Sequence, residues 1–212
     1  MIRLLIADDH PIVRDGLKHV VAQNTEIKVV GEAADGNTAL SLVKSLPVDV
    51  LLLDVTMPGP GVLDLIREAK KLKPWTRILV LSVHPEQMYA RRVLSAGADG
   101  YLTKTHSSAE LANAIAHVHS GRKYVTPSLA EDLALDLSAA GGKQPHELLS
   151  NREYQVFLQL GIGRSVGEIS GELKISPKTI RTYRSRILEK TDLHSTAELI
   201  YYVLSRGLAA KQ

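Results

Sequence analysis

The feature that most constrains the fold is a set of four short apolar stretches that each end in polar residues. The stretches are IRLLIA, VDVLLL, RILVL and GYLT, and the residues at their ends are Asp8 with Asp9, then Asp54, Ser82 and Lys104. Continuous apolar runs of this length, bounded by Gly, Pro or charge, are typical of parallel strands buried on both faces. Helical patterns long enough for crossovers separate them, so all four carboxyl ends meet at one edge. The sequence therefore predicts an α/β domain with a doubly wound parallel sheet.

The polar residues at this edge suit a divalent metal and a phosphoryl group. Ligands of open α/β sheets bind at this edge, and magnesium takes hard oxygen ligands while keeping several waters. A carboxylate can also be a nucleophile that forms an aspartyl phosphate. Asp54 is the better nucleophile candidate because it stands alone on its strand, whereas the adjacent Asp8 and Asp9 are suited to hold the metal. Lys104 and Ser82 are expected to pair with oxygens of the transferred group.

The spacing of these residues also carries a family resemblance. The motifs are Asp8-Asp9, the run Asp54-Val-Thr-Met-Pro-Gly, Ser82 at the end of the fourth strand, and Tyr101 three residues before Lys104. With these motifs, residues 1 to about 120 resemble the receiver domain of two-component response regulators. The resemblance implies a five-stranded flavodoxin-like sheet and transfer of phosphate to Asp54 from the phosphohistidine of a sensor histidine kinase.

The resemblance also implies roles for individual residues. By similarity, Mg2+ is held by Asp8, Asp9, Asp54 and the carbonyl group of Thr56. Ser82 and Tyr101 form a switch pair, in which the hydroxyl moves toward the phosphoryl group and the aromatic ring turns inward behind it. One departure is Thr105, where many receivers have a proline after a cis peptide bond. A cis bond costs about 3–4 kcal/mol before other residues, so we expect a trans bond here.

Length and composition limit the alternatives. The 212 residues suffice for one or two domains, each with its own core. The lack of cysteine excludes a disulfide scaffold and a thiolate metal site. The first residues become acidic too early for a secretory signal, and no apolar run approaches the ~20 residues needed to span a bilayer. We therefore expect a cytoplasmic protein without a membrane partner.

Charge and local composition divide the chain into three parts. Residues 1–120, the predicted receiver domain, hold 13 basic and 13 acidic residues. Residues 121–146 are predicted to form a connecting helix, which Pro127 opens, and a flexible linker over 138–146. Residues 147–212 hold 10 basic and 7 acidic residues, and therefore the whole net charge of +3. We expect the third part to form a separate domain.

The C-terminal part has the pattern of four short helices. Ser150 caps the first, and Glu153 three residues later completes a capping box. Ser176 caps a later helix that has Pro177 at its first position, and Ser195 caps the last. Short helices joined by tight turns are typical of a helix-turn-helix unit.

The helix from Ser176 to about Lys190 has two different faces. At about 100° per residue, Ile180, Tyr183 and Ile187 fall in one stripe that is predicted to pack inward. The opposite face is basic and hydroxyl-bearing, and it consists of Lys178, Arg181, Thr182 and Ser185. The major groove of DNA admits an α-helix, and arginine reads guanine there while Thr or Ser contacts a base or a phosphate. The pattern favours a nucleic-acid-binding helix.

The runs LSNREYQVF and VGEISGELKISPKTIRTYRSRILEK carry a second resemblance, to the LuxR-type helix-turn-helix of the NarL/FixJ response regulators. It implies that three residues approach DNA bases, namely Arg181, Thr182 and Ser185. Three others hold phosphates, namely Lys178, Thr179 and Arg184. Tyr183 stands where a histidine is common. Because Arg181 is the strongest base reader, we expect modest intrinsic specificity with a contribution from DNA shape.

Together the two resemblances imply a transcription regulator controlled by phosphorylation. A sensor histidine kinase is expected to phosphorylate Asp54, and the protein is expected to bind double-stranded promoter DNA as a homodimer and to act on RNA polymerase. Turnover of a separate substrate is not expected, because the receiver catalyses only its own phosphotransfer and dephosphorylation.

Two other interpretations remain open. An aspartate-nucleophile phosphatase uses similar chemistry, but it needs a capping insertion and usually a second aspartate two residues beyond the nucleophile, where this chain has Thr56. Steady turnover of a small phosphate ester would favour it. A phosphorylation-independent transcription regulator could keep the basic helix and lack a working acidic pocket. DNA affinity without magnesium binding would favour that interpretation.

Overall fold

The computed structural model describes residues 1–83, 86–105, 107–127, 129–131, 144–173 and 175–208. The chain divides into two compact units, residues 1–138 and 139–212. Positions 138–143 of the predicted linker lie outside the described residues, as do Leu133 and Leu137 of the predicted connecting helix. The domain boundaries at residues 120 and 146 therefore stay predictions.

Five parallel strands form the sheet of the first unit, which confirms the predicted fold class. They are β1 (Ile2–Ala7), β2 (Ile27–Ala33), β3 (Val50–Asp54), β4 (Arg77–Ser82) and β5 (Gly100–Thr103). Their order across the sheet is β2-β1-β3-β4-β5, with parallel pairing throughout. All five residues of β3 are buried, as a central strand covered on both faces requires.

Helices connect the strands and cover both faces of the sheet. They are α1 (Pro11–Ala22), α2 (Gly36–Ser45), α3 (Val62–Leu72), α4 (Glu86–Ser95) and α5 (Ser108–His119). Side chains of the strands pack against α5 in one core cluster, to which Leu52, Leu79 and Ile115 belong. This rigid core fixes the positions of the loops that follow the strands.

The chain leaves α5 along the outer edge of β5. Tyr124 forms a parallel bridge with Gly100, and the N–H of Tyr101 donates to the Tyr124 carbonyl oxygen at 3.2 Å. A Cβ atom at position 100 would lie 2.9 Å from that oxygen, so this close approach requires glycine. Residues 127 and 129–131 are helical, at the place where the sequence predicts a helix that begins at Pro127.

A buried carboxylate surrounded by cations lies at the edge where the strands begin. Asp99, directly before β5, is 4% exposed and accepts hydrogen bonds from Lys70 Nζ at 2.6 Å and from the N–H of Ile78 at 2.9 Å. Arg77 and Lys123 approach its other oxygen at 3.3 and 3.4 Å. Burial acts to raise the pKa of Asp99, but these hydrogen bonds and cations outweigh it, and the pKa is lowered. With three cations around one carboxylate, this cluster is positively charged.

The described part of the second unit is helical. A 3-10 helix (Pro145–Leu148) precedes α6 (Asn151–Gly161), α7 (Val166–Leu173), α8 (Pro177–Thr191) and α9 (Thr196–Ser205). The side chains of Ser150, Ser176 and Ser195 accept backbone hydrogen bonds at the starts of α6, α8 and α9, as predicted. These caps satisfy N–H groups that the helices themselves leave without a partner.

The helices of the second unit enclose a small core. Phe157, Ile187 and Val203 are fully buried in α6, α8 and α9. Gly161 allows α6 and α9 to approach closely, because a Cβ atom there would lie 2.5 Å from the Val203 side chain. Among the residues that the structure describes, no helix is both long enough and apolar enough to cross a membrane.

Candidate functional site

Three strand ends bring two carboxylates and an amine together. Asp8 follows β1, Asp54 ends β3 and Lys104 follows β5. Lys104 Nζ lies 2.6 Å from Asp8 Oδ2 and 3.0 Å from Asp54 Oδ1. Both carboxylates are buried, and the lysine side chain is 16% exposed. The parallel sheet thus joins residues that are far apart in the sequence into one polar cluster.

The charge of this cluster depends on Lys104. Burial acts to lower the pKa of its ammonium group, but the hydrogen bond to Asp8 and the negative charge of Asp54 outweigh burial, and the pKa is raised. The lysine is therefore cationic at neutral pH and offsets part of the charge of the two carboxylates. An ammonium group in this position can also pair with the oxygens of a phosphoryl group.

Thr56 holds the Asp54 carboxylate through its other oxygen. The backbone N–H of Thr56 donates to Asp54 Oδ2 at 3.0 Å, and its hydroxyl group donates to the same atom at 2.6 Å. Because Lys104 lies against Oδ1, both oxygens of Asp54 are engaged and the carboxylate has a fixed orientation. The sequence predicts only that the Thr56 carbonyl group is a metal ligand. The contact of the Thr56 hydroxyl group with Asp54 is not predicted. The only signal for it is the position of Thr56 two residues after the strand end.

Asp8 and Asp9 form a second group with His10, which sequence reasoning misses. Possible ligand atoms of the three residues lie within 4.8 Å of one another. Oδ1 of Asp9 is shielded from solvent and accepts no hydrogen bond from any described residue, although His10 Nδ1 approaches it at 2.8 Å without hydrogen-bond geometry. A shielded carboxylate oxygen without a donor, next to further hard ligands, fits a divalent cation. The signal in the sequence is the position of His10 directly after the acidic pair.

Ser82 and Tyr101, the predicted switch pair, are both buried. Ser82 ends β4 and has no exposed surface, and Tyr101 in β5 is 1% exposed. The N–H of Lys104 donates to the Ser82 carbonyl oxygen at 2.7 Å, so the ends of β4 and β5 are joined directly. The peptide bond between Lys104 and Thr105 is trans, as expected.

The side chains of α8 divide into a buried and an exposed face. Ile180 and Ile187 are fully buried, whereas Tyr183, predicted to pack inward with them, is only partly buried. Tyr183 carries a hydroxyl group that favours contact with water, which the stripe pattern does not take into account. The exposed residues of the opposite face are Lys178, Arg181, Thr182 and Ser185. Thr179, another predicted phosphate contact, is partly buried at the start of the helix.

Two contacts hold α8 against the neighbouring helices. Arg184 Nε donates to Thr196 Oγ1 at 2.8 Å, so part of this guanidinium group faces the start of α9. Lys190 Nζ donates to Glu153 Oε2 at 2.7 Å. Glu153 is buried and also completes the capping box of Ser150. The exposed face of α8 is therefore presented by a helix that is fixed to α9 and, at its carboxyl end, to α6.

Comparison with known proteins supports both predicted resemblances, because each part of the chain matches a known family. Residues 4–116 match the family of response regulator receiver domains, and residues 147–203 match the luxR family of bacterial regulatory proteins. The chain is 37% identical over 209 residues to the response regulator UvrY of Escherichia coli (strain K12), with coverage of 98% of this chain and 96% of the relative. The chain belongs to the response regulators with a LuxR-type output domain. This response regulator is also 38% identical over 209 residues to GacA of Pseudomonas viridiflava, with coverage of 98% of both chains.

The solved structure of another response regulator, RcsB, resembles this response regulator as well. RcsB from Salmonella enterica serovar Typhimurium, bound to the promoter rprA in the presence of the phosphomimetic BeF3-, has a TM-score of 0.63 and 27% sequence identity. The similarity covers 96% of this chain and 98% of RcsB. The comparisons confirm the predicted family and its function, which is phosphorylation-dependent regulation of transcription within a two-component system. A receiver domain implies a histidine kinase as partner.

Proposed function

We propose that Asp54 is the phosphoacceptor of this response regulator and that Lys104 pairs with the transferred phosphoryl group. The distance of 3.0 Å between Lys104 Nζ and Asp54 Oδ1 carries this proposal. One oxygen of Asp54 attacks the phosphorus of the kinase phosphohistidine, the P–N bond breaks, and the histidine nitrogen keeps the bonding electron pair. Lys104 and the Ser82 hydroxyl group then contact oxygens of the acyl phosphate.

Mg2+ is the proposed cofactor, and when bound it neutralises and orients the phosphoryl oxygens. Asp8 and Asp9 hold it, and Asp54 and the Thr56 carbonyl group complete the protein ligands. The shielded Oδ1 atom of Asp9 supports this assignment. Asp54 would have a double role, as a ligand of the cation and as the nucleophile that forms the bond to phosphorus.

Ser82 and Tyr101 are the proposed switch residues. The phosphoryl group adds about −1.5 to −2 charge units at neutral pH. Ser82 lies at the end of β4, next to the strand that carries Tyr101, so its movement toward that charge changes the space around the tyrosine ring. To change the ratio of active to inactive receiver from 1:99 to 99:1, phosphorylation must stabilise the active state by about 5.5 kcal/mol relative to the inactive state.

The exposed face of α8 is the proposed DNA-reading surface. Arg181, Thr182 and Ser185 contact bases, while Lys178, Thr179 and Arg184 contact phosphates. The RcsB complex with promoter DNA supports this assignment, because this response regulator resembles it over both units. Phosphorylation favours a homodimer whose two recognition helices lie about one DNA turn apart, ~34 Å. The dimer acts on RNA polymerase at promoters, and the protein works in the cytoplasm.

Phosphorylation of Asp54 is tested with a small phosphodonor and Mg2+. We expect the wild-type protein to become covalently labelled and to bind its operator more tightly, and Asp54→Asn to lose both effects. Asp64→Asn is the matched control, because Asp64 is an exposed aspartate on α3. It should behave like the wild type. Labelling of Asp54→Asn at the wild-type level would refute the assignment.

The same experiment addresses the two other interpretations. An aspartate-nucleophile phosphatase would release phosphate from a small phosphate ester steadily, whereas we propose no turnover of a separate substrate. A phosphorylation-independent regulator would bind DNA equally well with and without donor. Phosphate release and DNA affinity are therefore measured in parallel with labelling.

A further inference from the structure

His10 is placed where a helix normally has a different residue. It is the N-cap of α1, with φ −94° and ψ 111°, and its side chain makes no capping hydrogen bond. Ser, Thr, Asp and Asn are preferred there, because their side chains accept a hydrogen bond from the first turn of the helix. The imidazole ring instead turns toward the acidic pair that precedes it. The helix therefore lacks a stabilising side-chain cap, and the ring lies close to the carboxylates of Asp8 and Asp9.

The distances around this ring are those of ligands that share one metal ion. His10 Nδ1 lies 2.8 Å from Asp9 Oδ1 and 3.4 Å from Asp8 Oδ1. Neighbouring ligands of an octahedral ion with bonds of about 2.1 Å lie about 3 Å apart. The backbone N–H of His10 also donates to Asp8 Oδ1 at 2.8 Å, which holds the His10 backbone next to this carboxylate. The ring is 63% exposed, so it can adjust its rotamer as an ion enters.

We propose that His10 is a metal ligand that shifts the selectivity of this pocket toward divalent transition ions such as Co2+ and Ni2+. The inference rests on the proposed metal site of the receiver. Mg2+ favours oxygen ligands and water, whereas imidazole nitrogen binds borderline ions such as Co2+ more strongly. Two carboxylate oxygens and one imidazole nitrogen then form a mixed ligand set. His10 thereby determines which cation the pocket holds when several compete.

The test compares His10→Gln with His19→Gln in the full chain. Glutamine removes the imidazole nitrogen, and His19 is an exposed histidine at the other end of α1. We expect His10→Gln to weaken Ni2+ binding about tenfold and to leave Mg2+ binding within about twofold of the wild type. Pulsed electron paramagnetic resonance of bound Cu2+ should show coupling to an imidazole nitrogen-14 nucleus in the wild type. This coupling should persist in His19→Gln and disappear in His10→Gln.

Failure of this inference is distinguishable from failure of the proposed function. Equal Ni2+ affinity of His10→Gln and wild type, or a nitrogen-14 coupling that survives the substitution, would overturn the role of His10. Covalent labelling of Asp54 by a phosphodonor with Mg2+ is measured on the same preparations. If labelling persists while His10→Gln changes neither Ni2+ affinity nor the nitrogen-14 coupling, the proposed function stands and only the role of His10 is refuted. Lack of labelling in the wild type would remove both.

Discussion

The ammonium group of Lys104 offsets the negative charge of two buried carboxylates. Asp8 and Asp54 are at most 2% exposed, and Lys104 Nζ lies within 3.0 Å of both. A buried charge that loses its partner is strongly destabilising. We therefore expect Lys104→Met to lower the free energy of unfolding of the first unit by about 2–4 kcal/mol at neutral pH. Mg2+ should restore part of this loss, because it binds the folded carboxylates and not the unfolded chain.

Fluorescence of Trp75 during urea unfolding measures this change. Trp75 is the single tryptophan of the chain and belongs to the first unit. Lys44 on α2 is exposed, so Lys44→Met is the matched control and should stay within about 0.5 kcal/mol of the wild type. A Lys104→Met protein as stable as the control would show that solvent, and not the lysine, compensates the carboxylates.

Between elements, the ion pair of Glu153 with Lys190 joins α6 to α8. Burial acts to raise the pKa of Glu153, but the hydrogen bonds from Lys190 and Ser150 outweigh it, and the pKa lies below its ordinary value of 4.5. Because the pKa of Glu153 is lower in the folded protein than in the unfolded chain, its ion pair stabilises the fold above about pH 4.5. This stabilisation is lost as the pH falls through the pKa of Glu153 in the folded protein. Glu153→Gln keeps a capping-box residue and loses the ion pair. We expect it to destabilise the second unit by about 1–2 kcal/mol at pH 7.

Hydrogen exchange of the α6 and α8 amides reports this difference. The difference in stability between Glu153→Gln and wild type should become smaller below pH 4.5, because the protonated glutamic acid no longer attracts Lys190. Glu189→Gln removes an exposed charge from α8 and should be neutral at both pH values. A gap that stays constant with pH would assign the effect to packing and not to charge.

The elements follow from local patterns more fully than the contacts between them do. The strands and the caps at Ser150, Ser176 and Ser195 are predictable, because apolar runs and capping residues act within a few positions. Convergence of Asp54 and Lys104 follows from the parallel sheet, since parallel strands end at a common edge. The Thr56 hydroxyl contact depends on side-chain rotamers, which periodicity does not encode. The bond from Arg184 to Thr196 depends on how two helices cross, and the sequence pattern does not specify that either.

For the whole molecule, the net charge of +3 lies in residues 147–212, so DNA affinity should fall as salt rises. Two substitutions on α8 separate the proposed contacts. Arg181→Ala should cost about 1–3 kcal/mol of operator binding and relax specificity. Lys178→Ala should weaken all sequences similarly and reduce the salt slope by about 1. Affinity measured on operator and random DNA across a salt series checks both, and identical profiles of the two variants would contradict the division into base and phosphate contacts.

Two clusters of opposite charge lie at the two edges of the receiver sheet. Carboxylates outnumber the amine where Asp8 and Asp54 lie, whereas three cations surround Asp99 at the opposite edge. Strands of four to seven residues separate these edges by roughly 15–20 Å. Charges separated in this way contribute to a permanent electric dipole moment, on which the field of a polyanion exerts a torque. The cations around Asp99 lie at the positive end of this moment, and an acyl phosphate at Asp54 adds negative charge at the other end.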